Sequence, residues 1–350
     1  MFLTRLSPIH HGQKGFNEMS NAAIHVVVAS DDNYFRGLIT TVYSLLQHSR
    51  ESSNIVVHVI DGGITQEHKE LLKRAIEPFC ATIEFTEINQ NIFENLASWQ
   101  GSGKMAYARL LAPDLFPYLK HVIYCDIDII WRIDIADLWE QRSDKFSLQY
   151  VRDYNRPYWH NHDEDRWLEE HGLTLNRDKY FCSGLLMLNL EKFREAKIHH
   201  SILNIFRATN GSAPYADQTT LNIFFSKRTD TRELDRKWQT MTTDKAELDN
   251  GINLVLHYAG DCPWKPLAQT NHILSDLHIL WHHTYASIVG ISTWQSLRTD
   301  NSPMMIAFSR ILYLAICHLR LFKKLIKLYL RIKNKDDQFL DSIFRCRTEL

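Results

Sequence analysis

Apolar and polar positions follow two different rhythms along the first third of the chain. Short runs rich in valine and isoleucine have the length and composition of buried strands. Longer segments between them carry apolar residues three and four positions apart, which indicates helices. This alternation predicts right-handed crossovers and an α/β fold with a doubly wound, mainly parallel sheet. The predicted strands are Ala23–Ser30, Asn54–Ile60, Thr82–Ile88 and His121–Cys125, and the predicted helices are Tyr34–His48, Thr65–Phe79 and Lys104–Leu111.

The second half of the chain is less regular, but it continues with short apolar runs and helical spacings. One apolar run, Tyr180–Asn189, is predicted as a strand broken by Gly184. The other predicted strands are Phe146–Val151 and Ile252–Tyr258, and the predicted helices are Ile198–Ala208 and Gln218–Phe225.

A basic segment distinguishes the C-terminal part, because residues 301–335 contain eight Lys/Arg and no Asp or Glu. Within Ser309–Lys335 the basic and apolar residues fall on separate faces of a predicted helix, which suits the interface of an anionic membrane. The alternative is a helix that packs on its own domain with a solvated basic edge. The basic stripe consists of Arg320, Lys323, Lys324, Lys327 and Arg331, and the apolar face of Leu321, Leu325, Leu328 and Ile332.

These patterns divide the chain into a lead-in (residues 1–22), a main α/β domain (23–280) and a helical region (281–350) that carries the basic amphipathic helix 309–335. The lead-in has no apolar stretch long enough for a signal peptide. No segment reaches the roughly 18 uncharged apolar residues of a membrane-spanning helix. We therefore expect a cytoplasmic protein, peripheral on the inner face of the cell membrane.

Composition narrows the class of protein. The formal net charge of −1 argues against general nucleic-acid binding, so we expect no nucleic-acid partner. Six scattered cysteines without a CxxC pair favour a reducing compartment over a disulfide scaffold. Cys80, Cys125 and Cys182 lie in or beside apolar segments and are predicted to be buried.

The tripeptide Asp126-Ile127-Asp128 follows the fourth predicted strand directly and carries the clearest chemistry. Residues two apart on a strand share one face, so we expect both carboxylates to point the same way and Ile127 to return to the core. Two carboxylates that close repel each other unless a cation lies between them. A divalent cation there could hold a phosphate-bearing substrate. A solvated turn or a helix cap is the simpler alternative.

His257 ends a predicted strand and is the candidate for a third metal ligand, although a hydrogen-bonded core histidine is the commoner case. Two carboxylates and one imidazole suit Mn²⁺ (or Mg²⁺) better than Ca²⁺ or a thiolate-bound Zn²⁺. Lys265 follows closely in the chain and could neutralise a diphosphate. The predicted site is therefore a metal–nucleotide site.

Further candidates follow other predicted strands, where ligands of open α/β sheets bind. Asp31 and Asn33 could bind a uracil and a ribose, or could simply cap the next helix. Arg109 could pair with a phosphate or an acid, or could form a surface salt bridge. Asp217 and Gln218 open a helix and could bind sugar hydroxyls.

A few other residues could also contact a sugar. Asp153 follows a predicted strand, and its carboxylate could bind hydroxyls as Asp217 could. Four tryptophans could stack on sugar faces, although such side chains usually belong to the core. They are Trp159, Trp167, Trp264 and Trp281.

Six ordered blocks of this chain resemble glycosyltransferase family 8, the retaining galactosyl- and glucosyltransferases that include bacterial lipopolysaccharide enzymes. The resemblance covers roughly Ile24 to Leu267. It is carried by the blocks VVVASDDNY (Val26 to Tyr34), YARL (Tyr107 to Leu110), HVIYCDIDII (His121 to Ile130), YFCSGLLMLNLEKFR (Tyr180 to Arg194), ADQTTLN (Ala216 to Asn222) and VLHYAG (Val255 to Gly260).

The resemblance implies a GT-A fold, Mn²⁺ as cofactor, UDP-glucose or UDP-galactose as donor and a glycan or lipopolysaccharide-core acceptor. It also implies three groups of site residues. They are the metal ligands Asp126, Asp128 and His257, the cofactor-binding residues Asp31, Asn33, Arg109, Gly260 and Lys265, and the donor-sugar residues Asp153, Asp217 and Gln218, with Gln218 closest to the anomeric carbon.

Two positions depart from the family pattern: Cys182 replaces an asparagine, and Lys265 comes two residues late. The resemblance implies a retained, α-linked product, and with no obvious carboxylate nucleophile we expect front-face attack. The alternatives are a catalytically weak, membrane-docked nucleotide-sugar binding protein and a nucleotidyltransferase on a related sheet. The latter would need a glycine-rich phosphate loop, which SDDNY after the first strand does not supply.

Overall fold

A computed structural model describes residues 23–89, 93, 104–154, 162–242, 253–260, 262–267, 274–299, 301–314 and 318. The chain forms two compact units, Met1–Pro263 and Trp264–Leu350. The lead-in and most of the predicted basic helix lie outside the described residues. The functional boundaries at residues 22 and 280 stay predictions, because compactness does not say which residues a function requires.

The first unit is built on a seven-stranded sheet in the order β3-β2-β1-β4-β7-β6-β8. Every neighbouring pair is parallel except those of β7, which runs antiparallel to β4 and β6. The predicted doubly wound, mainly parallel sheet is therefore confirmed. The strands are β1 Ile24–Ser30, β2 Ile55–Asp61, β3 Thr82–Glu87, β4 His121–Cys125, β5 Ile129–Trp131, β6 Leu148–Arg152, β7 Phe181–Asn189, β8 Thr231–Glu233, β9 Thr240–Met241 and β10 Val255–His257.

The helices that connect these strands are mostly short. In the first unit they are α1 Phe35–Gln47, α2 Gln66–Ile76, α3 Ala112–Leu115, α4 Ala136–Trp139, α5 His162–Glu170, α6 Leu190–Glu195, α7 Ile198–Ala208 and α8 Ala216–Phe225, with 3-10 helices at Asp32–Tyr34, Ser52–Asn54, Glu77–Phe79, Lys104–Leu111, Arg177–Lys179 and Arg236–Trp238. The second unit contains α9 Asp276–Val289, α10 Thr293–Arg298 and helical residues 303–314.

The centre of the sheet is buried on both faces. All residues of β1, β4 and β7 are buried, which explains why their sequences are continuous apolar runs rather than alternating ones. The edge strand β3 is only half-buried and is correspondingly more polar. A strand's position in the sheet thus decides its hydrophobic pattern, and the C-terminal ends of β1 and β4 leave the buried centre at the same edge.

A second, three-stranded sheet in the order β5-β10-β9 lies in the same unit. Strand β10 pairs antiparallel with β5, so that His257 lies opposite Ile129. Because β5 begins directly after Asp126-Ile127-Asp128, this pairing brings a histidine from far along the chain beside the acidic tripeptide.

The prediction that Gly184 breaks its strand is wrong. Strand β7 runs from Phe181 to Asn189 and includes Gly184, whose carbonyl accepts from the Asp126 N–H, although the register with β6 shifts between Phe181 and Leu186. The backbone of Gly184 does not take a positive φ, so no left-handed turn requires the glycine. Its position against another side chain, described below, gives the physical reason for its presence.

The predicted burial of Ile127 and Cys80 is also wrong. Asp126-Ile127-Asp128 is a bend between β4 and β5 rather than an extension of β4, so the alternation of a strand does not apply and Ile127 is partly exposed. Cys80 is exposed and takes a left-handed conformation (φ 54°) where the chain reverses after Glu77–Phe79. Cys125 and Cys182 are buried, as predicted.

Candidate active site

Asp126, Asp128 and His257 come together at the C-terminal end of β4. Each offers a ligand atom, and these atoms all lie within 4.8 Å of one another. The β5–β10 pairing continues past the strand, since the Tyr258 N–H donates to the Asp128 carbonyl over 2.9 Å. The backbone therefore fixes the three side chains in one place, and their role as metal ligands stays a prediction.

The pair formed by His257 and Asp128 has the spacing of two ligands around one ion. Nε2 of His257 is 3.1 Å from Oδ1 of Asp128, and that buried oxygen accepts no well-aligned hydrogen bond from the described residues. Two ligands bound at about 2.1 Å and at right angles lie about 3.0 Å apart. The two atoms are therefore close enough to bind one ion, and two carboxylates with one imidazole suit Mn²⁺ or Mg²⁺.

Burial makes the charge on this group costly. It raises the pKa of Asp126 to about 6, although Arg109 opposes the rise. Burial acts on Asp128 in the same sense, but the His257 imidazole holds the pKa of Asp128 below its usual range. The pKa of His257 is raised well above its usual value despite burial, chiefly by Asp128. A proton on His257 therefore supplies the positive charge that a metal cation would supply. A metal must displace this proton in order to bind.

Arg109 is a buried cation beside the tripeptide. It does not form the surface salt bridge that was the alternative. Its side chain is 3% exposed, its Nη2 is 2.8 Å from Oδ1 of Asp126, and its Nε is 3.0 Å from Oδ2 of Asp217. The guanidinium also lies 4.4 Å from the centroid of the Tyr124 ring. Arg109 thus compensates the buried Asp217 and the partly exposed Asp126, and its predicted contact with the nucleotide stays a prediction.

One segment of β7, Cys182–Ser183–Gly184, touches most of the other site groups. The Gly184 carbonyl accepts from the Asp126 N–H over 2.7 Å, and the Ser183 N–H donates to Oε1 of Gln218 over 3.1 Å. The Ser183 carbonyl accepts from Nη1 of Arg109. Sγ of Cys182 is 3.7 Å from Nδ1 of His257. The antiparallel strand β7 is therefore the scaffold of the site.

Sequence reasoning gave Ser183 and Gly184 no role in this segment. A signal was nevertheless available, because a glycine inside an apolar strand often marks a close approach of another group. Here that group is His257. A Cβ on Gly184 would lie 2.9 Å from both imidazole nitrogens and closer still to Cε1.

The three residues predicted to contact the donor sugar differ in accessibility. Asp153 and Asp217 are 4% exposed, and burial raises the pKa of Asp217 although Arg109 lowers it. Gln218 at the start of α8 is partly exposed, and its Nε2 is 3.5 Å from both Oδ2 of Asp153 and the Tyr180 hydroxyl. Of the three, Gln218 is the side chain best placed to meet a ligand from solvent.

The first acidic turn leaves the same edge of the sheet as Asp126, because β1 and β4 are parallel neighbours. Asp31 is buried and accepts from the Asn33 N–H over 3.0 Å, so it caps the 3-10 helix Asp32–Tyr34. Burial raises the pKa of Asp31. Asn33 is exposed. Capping orients this turn, and uridine binding by its side chains stays a prediction.

The remaining predicted residues are less informative. Gly260 is exposed and takes φ 74°, a conformation that favours glycine. Lys265 belongs to the unit Trp264–Leu350, so its role at a diphosphate stays a prediction. Trp159 lies outside the described residues. The other three candidate tryptophans are at most 8% exposed, which favours the core alternative: Trp167, Trp264 and Trp281.

Asp114, His199 and His200 form the other group of potential ligand atoms within 4.8 Å among the described residues. Nε2 of His199 is 3.1 Å from Oδ1 of Asp114. However, both histidines lie in the first turn of α7, where the helix dipole disfavours a cation. The guanidinium of Arg194 also bonds the carbonyls around Asp114 and supplies positive charge. Burial lowers the pKa of His199, so we interpret this group as a hydrogen-bonded cluster within the fold.

The side chain of Thr41, in α1, hydrogen-bonds the backbone of the acidic tripeptide and of the residue that follows it. Its buried Oγ1 is 2.7 Å from the Ile127 carbonyl and 2.8 Å from the Ile129 carbonyl, and it accepts from the Ile129 N–H. The bend that carries Asp126 and Asp128 is therefore tied to a core helix on both sides of Asp128.

Thr41→Val keeps the shape of the side chain and removes these bonds, so we expect a loss of about 1–3 kcal/mol in the free energy of unfolding. Metal affinity should also fall, because the bend loses its anchor. Urea denaturation and Mn²⁺ titration measure the two effects. Thr40→Val is the matched control, since Oγ1 of Thr40 bonds, among the residues that the structure describes, only the Arg36 carbonyl one helical turn back. Equal behaviour of the two variants would contradict the anchoring role.

Comparison with known proteins agrees with this geometry. A family model described as glycosyl transferase family 8 matches residues 25–268. General stress protein A of Bacillus subtilis is 31% identical over 183 residues, which cover 52% of this chain and 61% of the relative. The lipopolysaccharide 1,2-glucosyltransferase of Escherichia coli is 23% identical over 269 residues, covering 71% of this chain and 75% of the relative. This chain thus spans about three fifths of the first relative's length.

Among solved structures, the galactosyltransferase LgtC in complex with donor and acceptor sugar analogs matches with a TM-score of 0.65. It is 20% identical, and the match covers 78% of this chain and all of LgtC. The fold is therefore mixed α/β and similar to the GT-A fold of LgtC, as predicted. Since the family model covers well over half of the residues, this chain belongs to glycosyl transferase family 8.

Proposed function

We propose that this protein is a metal-dependent, retaining hexosyltransferase. It would move glucose or galactose from UDP-glucose or UDP-galactose to a saccharide acceptor, with lipopolysaccharide core or another surface glycan as the acceptor class. The product would carry an α-linkage. The convergence of Asp126, Asp128 and His257 within 4.8 Å at the end of a central strand is the observation that carries this proposal.

A cation bound by these three side chains would stabilise the negative charge that develops on the departing diphosphate. The protein's own contribution is to hold the ligands rigidly. Arg109 and the Gly184 carbonyl fix Asp126 from two sides, at 2.8 Å and 2.7 Å. A site that is arranged before the substrate arrives does not have to reorganise during the reaction.

The surroundings of Gln218 support front-face attack. The carboxylates nearest to it are buried: Asp217 is engaged by Arg109 at 3.0 Å, and Asp153 lies near the Gln218 amide. Neither carboxylate is therefore accessible as a nucleophile. The partly exposed Gln218 amide can bind and orient the donor sugar, but it is not a nucleophile. We propose that the acceptor hydroxyl attacks on the side from which UDP leaves, passing its proton to the departing phosphate. A covalent sugar adduct on Asp153 or Asp217 would contradict this step.

Donor hydrolysis tests the activity without knowledge of the acceptor. Purified protein is incubated with UDP-glucose or UDP-galactose, and released UDP is measured with Mn²⁺, with Mg²⁺ and with EDTA. We expect slow hydrolysis of one donor that needs the metal and stops with EDTA. Binding of the donor without any turnover, with or without truncated lipopolysaccharide cores as acceptors, would instead support a binding protein.

We also propose that the second unit attaches the protein to an anionic membrane surface on the cytoplasmic side. Helical residues 303–314 leave large apolar side chains exposed, including Met304 (77%), Phe308 (64%) and Ile311 (67%). Residues 315–335, which follow in the sequence, are basic and contain no Asp or Glu. Exposed apolar groups beside positive charge suit the interface of anionic lipids. Within the described residues, no helix is both long and apolar enough to cross a membrane.

Charge reversal of Lys323, Lys324 and Lys327 to Glu should release the protein from vesicles that contain anionic lipid, because each basic residue contributes about 1 kcal/mol of attraction. Vesicle sedimentation measures the bound fraction. The matched control reverses three exposed lysines of the first unit, Lys73, Lys145 and Lys227, and should leave binding intact. Unchanged sedimentation of the first variant would favour a helix that packs on its own domain.

A further inference from the structure

The His257 imidazole is faced by a different group at each of three neighbouring ring atoms. Nε2 is 3.1 Å from Oδ1 of Asp128, and Nδ1 is 3.7 Å from Sγ of Cys182. Between the two nitrogens, Cε1 points at Gly184. The ring is 3% exposed, so it has little room to turn away from any of these neighbours.

The contact with Gly184 leaves no space for a side chain. A Cβ at this position would stand 2.9 Å from both imidazole nitrogens, whereas an ordinary contact needs at least 3.4 Å. The ring would therefore have to move by at least about 0.5 Å. Metal–ligand distances tolerate only about 0.2 Å. The smallest possible side chain at residue 184 thus shifts the ligand by more than coordination allows.

Hydrogen bonds of the backbone beside Gly184 oppose a movement of the strand in place of the ring. The Gly184 carbonyl accepts from the Asp126 N–H over 2.7 Å, and the neighbouring Ser183 carbonyl accepts from Arg109. Strand β7 pairs with β4 from Leu185 to Asn189, directly beside Gly184, whereas its register with β6 shifts between Phe181 and Leu186. A displacement of Gly184 would pull on Asp126, which is itself one of the predicted ligands.

Backbone conformation offers no other reason for a glycine here. Gly184 lies inside strand β7 and does not take a positive φ. Alanine would suit such a backbone at least as well as glycine does. The requirement at this position comes from the imidazole.

We propose that Gly184 is a positioning residue for the metal site: its missing side chain sets where the His257 imidazole stands and so completes the set of ligands. This rests on the metal site of the proposed function and adds a residue that contacts neither metal nor substrate. Any residue other than glycine at position 184 would be incompatible with the three-ligand site.

A double-mutant cycle separates positioning from general damage. The four proteins are the wild type, Gly184→Ala, His257→Ala and the double variant, each as the full chain. Mn²⁺ binding is measured by electron paramagnetic resonance and calorimetry without any sugar, and unfolding by urea denaturation. We expect Gly184→Ala to lower Mn²⁺ affinity by about 10–100-fold, the range for residues that orient metal ligands.

The double variant gives the decisive result. If Gly184 acts through the imidazole, Gly184→Ala should cause no further loss of Mn²⁺ affinity once His257 is alanine. The urea midpoint should show the same coupling: Gly184→Ala lowers it when His257 is present and leaves it equal or raises it when His257 is absent. Losses that multiply in the double variant, or wild-type Mn²⁺ binding by Gly184→Ala, would overturn the proposal.

Failure of the positioning role of Gly184 can be distinguished from failure of the proposed transferase function. A wild-type protein that binds Mn²⁺ but hydrolyses no UDP-sugar would end the transferase proposal and leave the role of Gly184 standing on the cycle. A wild-type protein that binds no Mn²⁺ would remove the metal site, and with it the positioning role.

Discussion

Asp128→Asn is expected to abolish metal-dependent donor hydrolysis while the protein stays folded. The substitution keeps the size of the side chain but removes the negative charge that faces His257 at 3.1 Å. Since a bound cation contributes several kcal/mol of transition-state stabilisation, the rate should fall by at least about 100-fold. Mn²⁺ affinity should fall with it, because a neutral amide replaces a charged ligand.

Released UDP and Mn²⁺ titration measure the two effects, and urea denaturation checks the fold. Asp144→Asn is the matched control: Asp144 is exposed and pairs with Lys120 over 2.9 Å, far along the strand from the tripeptide. It should keep both activity and metal affinity. A variant at Asp128 that hydrolyses the donor at the wild-type rate and still stops with EDTA would place the metal elsewhere.

Arg109→Met should produce the largest loss of stability that we expect from a single substitution in this protein. Methionine fills similar space but leaves the buried Asp217 and the partly buried Asp126 without their cation. Breaking a buried ion pair by removing one partner costs about 3–5 kcal/mol. The free energy of unfolding from urea denaturation should fall by this amount.

A surface pair provides the control for Arg109. Arg152 and Glu233 lie 2.8 Å apart, but both side chains are about one third exposed. Arg152→Met should therefore cost about 1 kcal/mol or less. Equal losses for the two arginine variants would contradict the role of Arg109 as a buried counter-charge.

The loss in Arg109→Met should depend on pH, because the carboxylates left behind can be protonated. The folded-state pKa of Asp126 is already raised to about 6 by burial, against an ordinary value of 3.8. A carboxyl group with a raised pKa destabilises the fold as pH rises from its unfolded value through its folded value. Without Arg109 this penalty grows, so the variant should differ from the wild type less at pH 5 than at pH 7. A constant difference would mean that charge is not the cause.

The sequence by itself determined the class of fold. Buried parallel strands must be apolar throughout, and helices must keep one apolar face, so the order of strands and helices is visible along the chain. The strands observed at Ile24–Ser30 and His121–Cys125 agree with their predicted bounds to within one residue. The acidic tripeptide was equally visible, because two carboxylates at the end of a strand are local information.

The tertiary structure decided how those residues act. Asp126 and Asp128 converge through a bend and not through strand alternation, since the chain leaves β4 at Cys125. The sequence left open whether Arg109 pairs with a phosphate, pairs with an acid or forms a surface salt bridge, because its place between Asp126 and Asp217 depends on residues far away in the chain. Thr41 gave no signal, because the carbonyls it bonds become its neighbours only when α1 packs on the bend.

Gly184 shows the difference between what the local sequence indicates and what the tertiary contacts determine. The sequence showed a glycine in an apolar strand, and its local effect on strand propensity suggested an interruption. In the structure the strand is continuous, and the glycine leaves space for an imidazole that is 73 residues later in the chain. The propensity of a segment to form a strand depends on residues that are neighbours in the sequence. The space that a side chain needs is set by whatever the fold brings against it, and only the tertiary structure contains that.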